Sequence, residues 1–182
     1  DTPLEPTIYD TPEHATLREQ VARFLAREVE PHAHAWEQQG FVPRDVLRRM
    51  GQAGLLGIAF ESEHGGADAD ALTNLVFAEA LAQSTYAGFV ITVLVHTDMA
   101  GPHLHHAGNP AQKARHLPRV CAGEAITAVA ITEPGAGSDV AGIRTRAVRD
   151  GDHWVINGTK MFITNGVHAD LVFVAAKTGP GK

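Results

Sequence analysis

The chain has 182 residues, 44% of them hydrophobic, which is enough for one large or two small domains with a real core. Its formal net charge of −6 and the lack of a basic block in the sequence argue against a nucleic-acid partner. The longest apolar run, residues 89–95, is far too short to span a bilayer, and the single Cys121 excludes an internal disulfide and fits a reducing compartment.

Residues from about 11 to 123 are predicted to form helices, several of which begin at recognisable signals. Thr11 and Asp70 are each predicted to cap a helix, and Asn109 is predicted to cap the last one. Residues 88–106 are apolar almost all round, which predicts a central, buried helix. On the helix after Asp70, the positions predicted to share one apolar side are Leu72, Leu75, Val76 and Ala80.

After Gly123 the apolar residues change from a helical to an alternating period. Asp150-Gly151 and Asn157-Gly158 predict hairpin turns. Helices first and strands afterwards indicate an α+β chain of two segregated modules, a helical domain of residues 1–123 and a β domain of residues 124–182 that need not be complete. The segments predicted as strands are residues 125–132, 143–149, 153–157, 160–164 and 171–177.

Residues 128–139, AVAITEPGAGSD, run from an apolar strand into a glycine-rich polar turn. Gly135 and Gly137 can take positive φ, so that consecutive backbone N–H groups face one side and form a site for phosphate or pyrophosphate. Thr132 and Ser138 add hydroxyl groups there. An ordinary tight turn explains the same residues about equally well. The dinucleotide-binding fingerprint fits less well, because strand-like residues and no helix follow the glycines.

Residues 157–166, NGTKMFITNG, are the second informative stretch. Phe162 and Thr164 alternate onto one face of the predicted strand. There an aromatic ring and a hydroxyl could pack against and hydrogen-bond a flat heterocycle. The same alternation is also typical of any exposed strand, so alone it indicates little.

Three histidines, His103, His105 and His106, lie close together in the sequence. No Cys or carboxylate sits among them at metal-ligand spacing. We therefore interpret them as ordinary surface or helix-end residues and predict no metal ligands. No G-x-S-x-G motif occurs, so no Ser-His-Asp arrangement is inferred.

Together, TEPGAGSD and NGTKMFITNG resemble the acyl-CoA dehydrogenase family of flavoproteins. The resemblance runs from about residue 17 to 178 and includes FLAREVEP, AGLLGI, EHGG and GNPAQKARHLPRVCAGE. It looks closest to the long-chain and branched-chain members. It implies a helical N-terminal domain, a β-barrel-like middle domain, and a second helical domain before which this chain stops.

The resemblance also implies FAD as the cofactor and acyl-CoA as the substrate. The implied reaction is an FAD-dependent α,β-dehydrogenation of the thioester to the trans-2-enoyl-CoA, with electrons passed to an electron-transferring flavoprotein. Alternatives left open are an acyl-CoA oxidase or flavin monooxygenase of the same fold, and a non-catalytic fragment that binds flavin or a partner. The full-length protein would be a homotetramer or homodimer, in the bacterial cytoplasm or the mitochondrial matrix.

Site residues follow from the matching motifs. Thr132 would hydrogen-bond the flavin near N5, Gly137 and Ser138 would hold the pyrophosphate, and Phe162 would stack by the isoalloxazine, where many members carry Trp. The residues implied to bind the cofactor are Val129, Ile131, Thr132, Gly137, Ser138, Phe162, Ile163 and Thr164. Those implied to bind the substrate are Ser138, Thr92, Val95 and Met99.

The family's catalytic glutamate lies in the C-terminal helical domain, so no catalytic residue is assigned within residues 1–182, and the chain alone is expected to be inactive. Glu133 matches the TEP motif but is interpreted as structural. Because the sequence opens with Asp1 and not with Met, we expect a processed or partial chain. Small residues at Ala87 and Gly88 predict an acyl pocket without a bulky floor, suited to substrates longer than butyryl.

Overall fold

The computed structural model describes residues 10–179, so residues 1–9 and 180–182, at the outer ends of the two predicted domains, lie outside it. The helices are α1 (Pro12–Phe24), α2 (Ala33–Gln39), α3 (Arg44–Gln52), α4 (Ala71–Leu81), α5 (Ala87–Leu94), α6 (Gly101–Ala107) and α7 (Pro110–Cys121). Segments Leu25–Val29 and Val95–Ala100 are π-helical, and Ser62–His64 and Val140–Gly142 are short 3₁₀ helices. The strands are β1 (Thr127–Ala130), β2 (Arg146–Asp150), β3 (His153–Asn157) and β4 (Leu171–Val174).

The predicted helix starts are confirmed by their caps. The Thr11 hydroxyl accepts a hydrogen bond from the His14 backbone N–H at 3.3 Å. The Asp70 carboxylate accepts one from the Thr73 N–H at 2.7 Å. Asn109 forms a reciprocal capping box with the residue three positions later. These side chains satisfy backbone donors that a helix leaves unpaired, which is why the sequence alone located the starts.

The helical core is built around the helix predicted to be central. In it, α5, the π-helical segment and α6 follow one another without a break from Ala87 to Ala107. Phe89 and Val93 on this helix are fully buried, and Val46 and Met50 of α3 are fully buried in the same cluster. Burial of each such side chain stabilises the folded state by about 1.5–3 kcal/mol, because its apolar surface is removed from water.

One apolar position on α4 faces water against expectation. Leu75 is 63% exposed, whereas Val76 and Ala80 are buried. Helix α4 carries apolar residues almost all round, so its sequence period does not determine which side faces the core. Burial is decided here by packing against α1, which the sequence does not show.

The strands form two small sheets. Strand β1 pairs with β4 in parallel, with Thr127 opposite Leu171. Strands β2 and β3 form an antiparallel hairpin whose turn at Gly151 has a φ of 58°, as Asp150-Gly151 predicted. The predicted class, helices first and a sheet-containing part afterwards, is confirmed. No closed barrel forms within residues 10–179, where each sheet has two strands.

The predicted strand at residues 160–164 is wrong, because that segment has no regular structure. Phe162 has a φ of 57°, a left-handed conformation that cannot continue a strand. The hairpin turn predicted at Asn157-Gly158 is also wrong, because the segment that follows β3 is not a strand. Gly158 lies where a Cβ would come within 2.2 Å of the Thr145 hydroxyl oxygen, so this glycine permits a close approach between two segments.

Candidate functional site

A tight turn follows β1 at residues 133–136. The Glu133 N–H donates to the Ala136 carbonyl at 2.9 Å, and the Ala136 N–H donates back at 3.1 Å. Gly135 and Gly137 do not adopt positive φ, so the expected row of N–H groups on one side does not arise in that way. A Cβ at either glycine would have no atom within 4 Å, so one side of the turn is open. The tight-turn interpretation is confirmed, and the role of Gly137 and Ser138 in holding pyrophosphate stays a prediction.

Glu133 anchors this turn. Its carboxylate is nearly buried and accepts hydrogen bonds from the Arg144 N–H at 2.6 Å, the Thr145 N–H at 2.9 Å and the Lys160 ammonium at 2.8 Å. Lys160, followed by Thr145, holds the pKa of this carboxyl well below its usual range. An ionised carboxylate with this many committed partners is a poor proton acceptor. The geometry therefore supports the structural interpretation of Glu133.

The loop that carries Phe162 is tied to the same turn. Lys160 also donates to the Ile131 carbonyl at 2.8 Å, and the Met161 N–H donates to the Thr132 carbonyl at 3.0 Å. The ring of Phe162 is 84% exposed next to these contacts in the chain. The structure thus places the loop of Phe162 against the strand end of Ile131 and Thr132, two segments that the sequence separates by about thirty residues.

Thr92 and the end of the same loop share a cavity of about 380 Å³. Ile163 and Thr164 line it, with further walls from Leu47, Tyr86, Gly88 and Ile126. Gly88 is small for a reason visible here, since a Cβ would meet the Tyr86 ring at 2.7 Å. Of the other residues assigned to substrate, Val95 is buried in the core and Met99 is 49% exposed, and neither lines this cavity. Ser138 is exposed, two residues after the turn.

Both parts of the chain match models of one known protein family. Residues 11–124 match the family description "Acyl-CoA dehydrogenase, N-terminal domain", and residues 128–182 match "Acyl-CoA dehydrogenase, middle domain". The chain belongs to the acyl-CoA dehydrogenase family. It is 43% identical over 166 residues to the mouse protein named long-chain specific acyl-CoA dehydrogenase, mitochondrial, covering 91% of this chain and 38% of that protein.

Solved structures of family members have the same fold. A crystal structure of acyl-CoA dehydrogenase from Geobacillus kaustophilus superposes with a TM-score of 0.90 at 40% identity, covering 97% of this chain and 46% of that one. A glutaryl-CoA dehydrogenase from Mycobacterium smegmatis, in complex with FADH2, superposes with a TM-score of 0.89 at 33% identity, covering 94% and 44%. The chain therefore spans less than half the length of the relatives it matches.

Sequence reasoning missed Asn165, which joins three parts of this acyl-CoA dehydrogenase fold. Its side-chain nitrogen donates to the Thr92 carbonyl at 3.0 Å and to the Thr127 carbonyl at 3.2 Å. Its backbone φ is 64°. The sequence signal was the Asn165-Gly166 pair, since Asn and Gly are the residues that most readily take a left-handed conformation.

His96 was missed as well. It is fully buried, its Nδ1 accepts from the Thr127 N–H at 3.1 Å, and its Nε2 lies 3.0 Å from the Val120 carbonyl. A carbonyl can only accept, so Nε2 carries the proton and the ring is neutral. Burial lowers the pKa of His96 to about 4. An imidazole inside a mostly apolar helix was the available signal in the sequence.

A third contact joins α3 to the segment before β4. The Arg44 guanidinium donates to the carbonyls of His168, at 2.7 Å, and Glu124, at 3.2 Å, and it pairs with the Asp170 carboxylate. Asp170 also accepts from the Ile126 N–H at 2.8 Å. These bonds fix the loop after Asn165 against the helical part of the protein.

The three histidines singled out in the sequence all lie on α6. His105 pairs with Glu61 at 2.7 Å, and His103 stacks on Phe173. Within residues 10–179 no group of three His, Cys, Asp or Glu side chains is arranged to hold a metal ion. No helix of that same part is long and apolar enough to cross a membrane.

Proposed function

We propose that the complete protein is an FAD-dependent dehydrogenase that converts an acyl-CoA thioester to the trans-2-enoyl-CoA. The observation that carries the proposal is the joining of two assigned cofactor segments. The loop that carries the exposed Phe162 is held beside the end of β1 by the Met161–Thr132 hydrogen bond and by Lys160, which contacts both Ile131 and Glu133.

The residues present fit FAD. An exposed aromatic ring offers a face for a flat heterocycle, and burying that ring would remove apolar surface from water. The open side of the turn at Gly135 and Gly137 leaves room for a group to approach the backbone closely. Half-buried Thr132 and Thr164 supply hydroxyls that can donate to a ring nitrogen or oxygen.

When bound, FAD would accept the β-hydrogen of the acyl group as a hydride. The contribution of this chain would be to bind and orient. Thr132, Phe162 and Thr164 would hold the cofactor, and Thr92 would line the path of the acyl chain. Among residues 10–179 we assign no base to the α-proton, because Glu133 is ionised and its oxygens are committed to the turn and to Lys160.

The substrate class proposed is an acyl-CoA longer than butyryl. The cavity beside Thr92 has apolar walls from Leu47, Tyr86 and Ile126, and Gly88 adds no side chain to it. Electrons would pass to an electron-transferring flavoprotein. The complete protein would work as a homodimer or homotetramer in the bacterial cytoplasm or the mitochondrial matrix, where its buried Cys121 stays reduced.

The test is to purify the complete gene product and titrate it without oxygen. We expect a stoichiometric flavin spectrum that acyl-CoA bleaches, with faster bleaching by octanoyl-CoA and palmitoyl-CoA than by butyryl-CoA. Reoxidation that requires an electron-transferring flavoprotein supports the dehydrogenase. Direct reoxidation by oxygen would favour an oxidase or monooxygenase of the same fold. A colourless protein that takes up no FAD would refute the proposal.

A further inference from the structure

Asn165 lies where the helical part, the first strand and the loop of Phe162 meet. A side-chain amide nitrogen carries two hydrogens, and in Asn165 they point to two different carbonyl oxygens, those of Thr92 and Thr127. Thr92 belongs to α5 and Thr127 to β1. One side chain therefore links two backbone segments that are 35 residues apart in sequence to a third.

Each of the linked segments carries residues assigned to the proposed site. Thr92 is assigned to the acyl path, and β1 leads directly into Ile131 and Thr132. Asn165 itself directly follows Thr164. A displacement of Asn165 would therefore change the spacing between the acyl path and both parts of the cofactor site.

Before His168, whose carbonyl Arg44 binds, the loop has little else to hold it there. Residues 158–169 contain no helix or strand. Among the described residues, the hydrogen bonds that tie residues 162–167 to the helices and strands are the two from the Asn165 amide, since the Gly166 N–H bond to the Ile163 carbonyl and the His168 N–H bond to the Asn165 carbonyl stay inside the loop. The Met161–Thr132 bond fixes only the start of this stretch.

Thr127, the residue of β1 that accepts from Asn165, is itself held in place. The Thr127 N–H is bound by His96, and the Thr127 hydroxyl donates to the His96 carbonyl at 2.7 Å. The carbonyl that Asn165 meets is thus part of a buried, fully bonded residue. A fixed acceptor gives the amide a defined position, which a mobile acceptor would not do.

We propose that Asn165 is a positioning residue that sets the distance between the acyl group and the cofactor, acting through Thr92 and through the loop of Phe162 and Thr164. The inference rests on the proposed function. Alignment of the reacting atoms to within about 0.5 Å separates fast from slow turnover, so loss of this link should slow the reaction more than it weakens substrate binding.

Two substitutions separate the amide from the backbone conformation. Asn165→Gly keeps the left-handed φ without strain but removes both hydrogen bonds. Asn165→Asp keeps the shape and places a carboxylate oxygen against two carbonyl oxygens, which repel it. Asn109→Asp is the matched control, because it makes the same chemical change at an exposed helix cap where Asp serves as well as Asn.

The experiment uses the complete protein with bound FAD. Octanoyl-CoA and palmitoyl-CoA are mixed with wild type and the three variants without oxygen, and the rate of flavin bleaching per bound flavin is recorded. We expect a fall of about tenfold or more in the limiting rate for Asn165→Gly and a larger fall for Asn165→Asp, with smaller changes in the concentration of acyl-CoA that gives half the limiting rate. The visible spectrum of the bound flavin should shift in both variants and stay unchanged in Asn109→Asp.

The inference is overturned if both variants bleach at the wild-type rate per bound flavin with unchanged spectra, because Asn165 then affects at most stability. Should Asn165→Asp fail to fold, Asn165→Gly decides the matter alone, since its backbone fits the site. A wild-type protein that holds no flavin, or is bleached by no acyl-CoA, refutes the proposed function and this inference with it. Wild-type bleaching with unaffected variants refutes the inference alone.

Discussion

Protonation of His96 should weaken the contact between the central helix and β1. Its pKa lies at about 4, against an ordinary 6.5, because the ring is fully buried. Between these values the unfolded chain binds a proton that the folded chain does not. The free energy of unfolding contributed by this group is therefore complete above about pH 6.5 and falls as the pH drops towards 4. The difference of about 2.5 pKa units corresponds to about 3 kcal/mol.

The perturbation is His96→Asn, which does not titrate. The Asn oxygen can take the place of Nδ1 and accept from the Thr127 N–H, but the bond to the Val120 carbonyl is lost. The buried, unpaired carbonyl should make the variant about 1–3 kcal/mol less stable than wild type at pH 7. At pH 4 to 4.5 wild type has lost a similar amount, so the two proteins should be of nearly equal stability.

The assay is denaturant unfolding of the complete protein at a series of pH values, read as the difference between variant and wild type. Carboxyl groups that titrate in both proteins cancel in that difference. Thr127→Val is the control, because it keeps the backbone N–H that His96 accepts and should stay pH-dependent although destabilised. A difference between His96→Asn and wild type that is the same at pH 5 and pH 7 would refute the reasoning.

Three further outcomes are expected. Lys160→Met should lower the melting temperature by more than about 5 °C and release flavin, because it leaves the buried Glu133 carboxylate without its cation. An unchanged melting temperature would contradict the role of this ion pair. Gly158→Ala should destabilise the protein by about 1–3 kcal/mol in denaturant unfolding, since its Cβ would meet the Thr145 hydroxyl, while Gly151→Asn, at an open left-handed turn, serves as the nearly neutral control. Phe162→Ala should weaken FAD binding about tenfold in flavin titration without lowering the stability of the flavin-free protein, and Phe162→Trp should bind FAD as wild type does. Equal FAD affinity of wild type and both variants would remove Phe162 from the site.

The parts of the fold that the sequence predicted are those set by neighbouring residues. Thr11, Asp70 and Asn109 cap helices through bonds to residues three positions away, so the cap and its partner are read together. The hairpin at Gly151 is local in the same sense. Leu75 shows the limit, since an almost wholly apolar helix does not reveal which face another helix will cover.

The cofactor- and substrate-binding residues were predicted from the family motifs, whereas the residues that hold those segments in place were not. Alternation of Phe162 and Thr164 suggested a strand, yet the loop conformation is set by contacts with β1 and α5. Lys160, His96 and Asn165 bond residues 24 to 73 positions away, so no short window of sequence contains both partners. Such tertiary contacts override local strand preference.

The π-helical segment Val95–Ala100 restricts the number of residues that the central helix can contain. Such a segment equals an α-helix that has accommodated one additional residue, which turns every later side chain by about 100° around the axis. Thr92, before the segment, lines the cavity, and Leu104, after it, is buried beneath α7. A one-residue deletion there would restore regular winding and rotate α6 away from α7, so family members that keep both contacts should conserve the residue count of this helix even where they change its side chains.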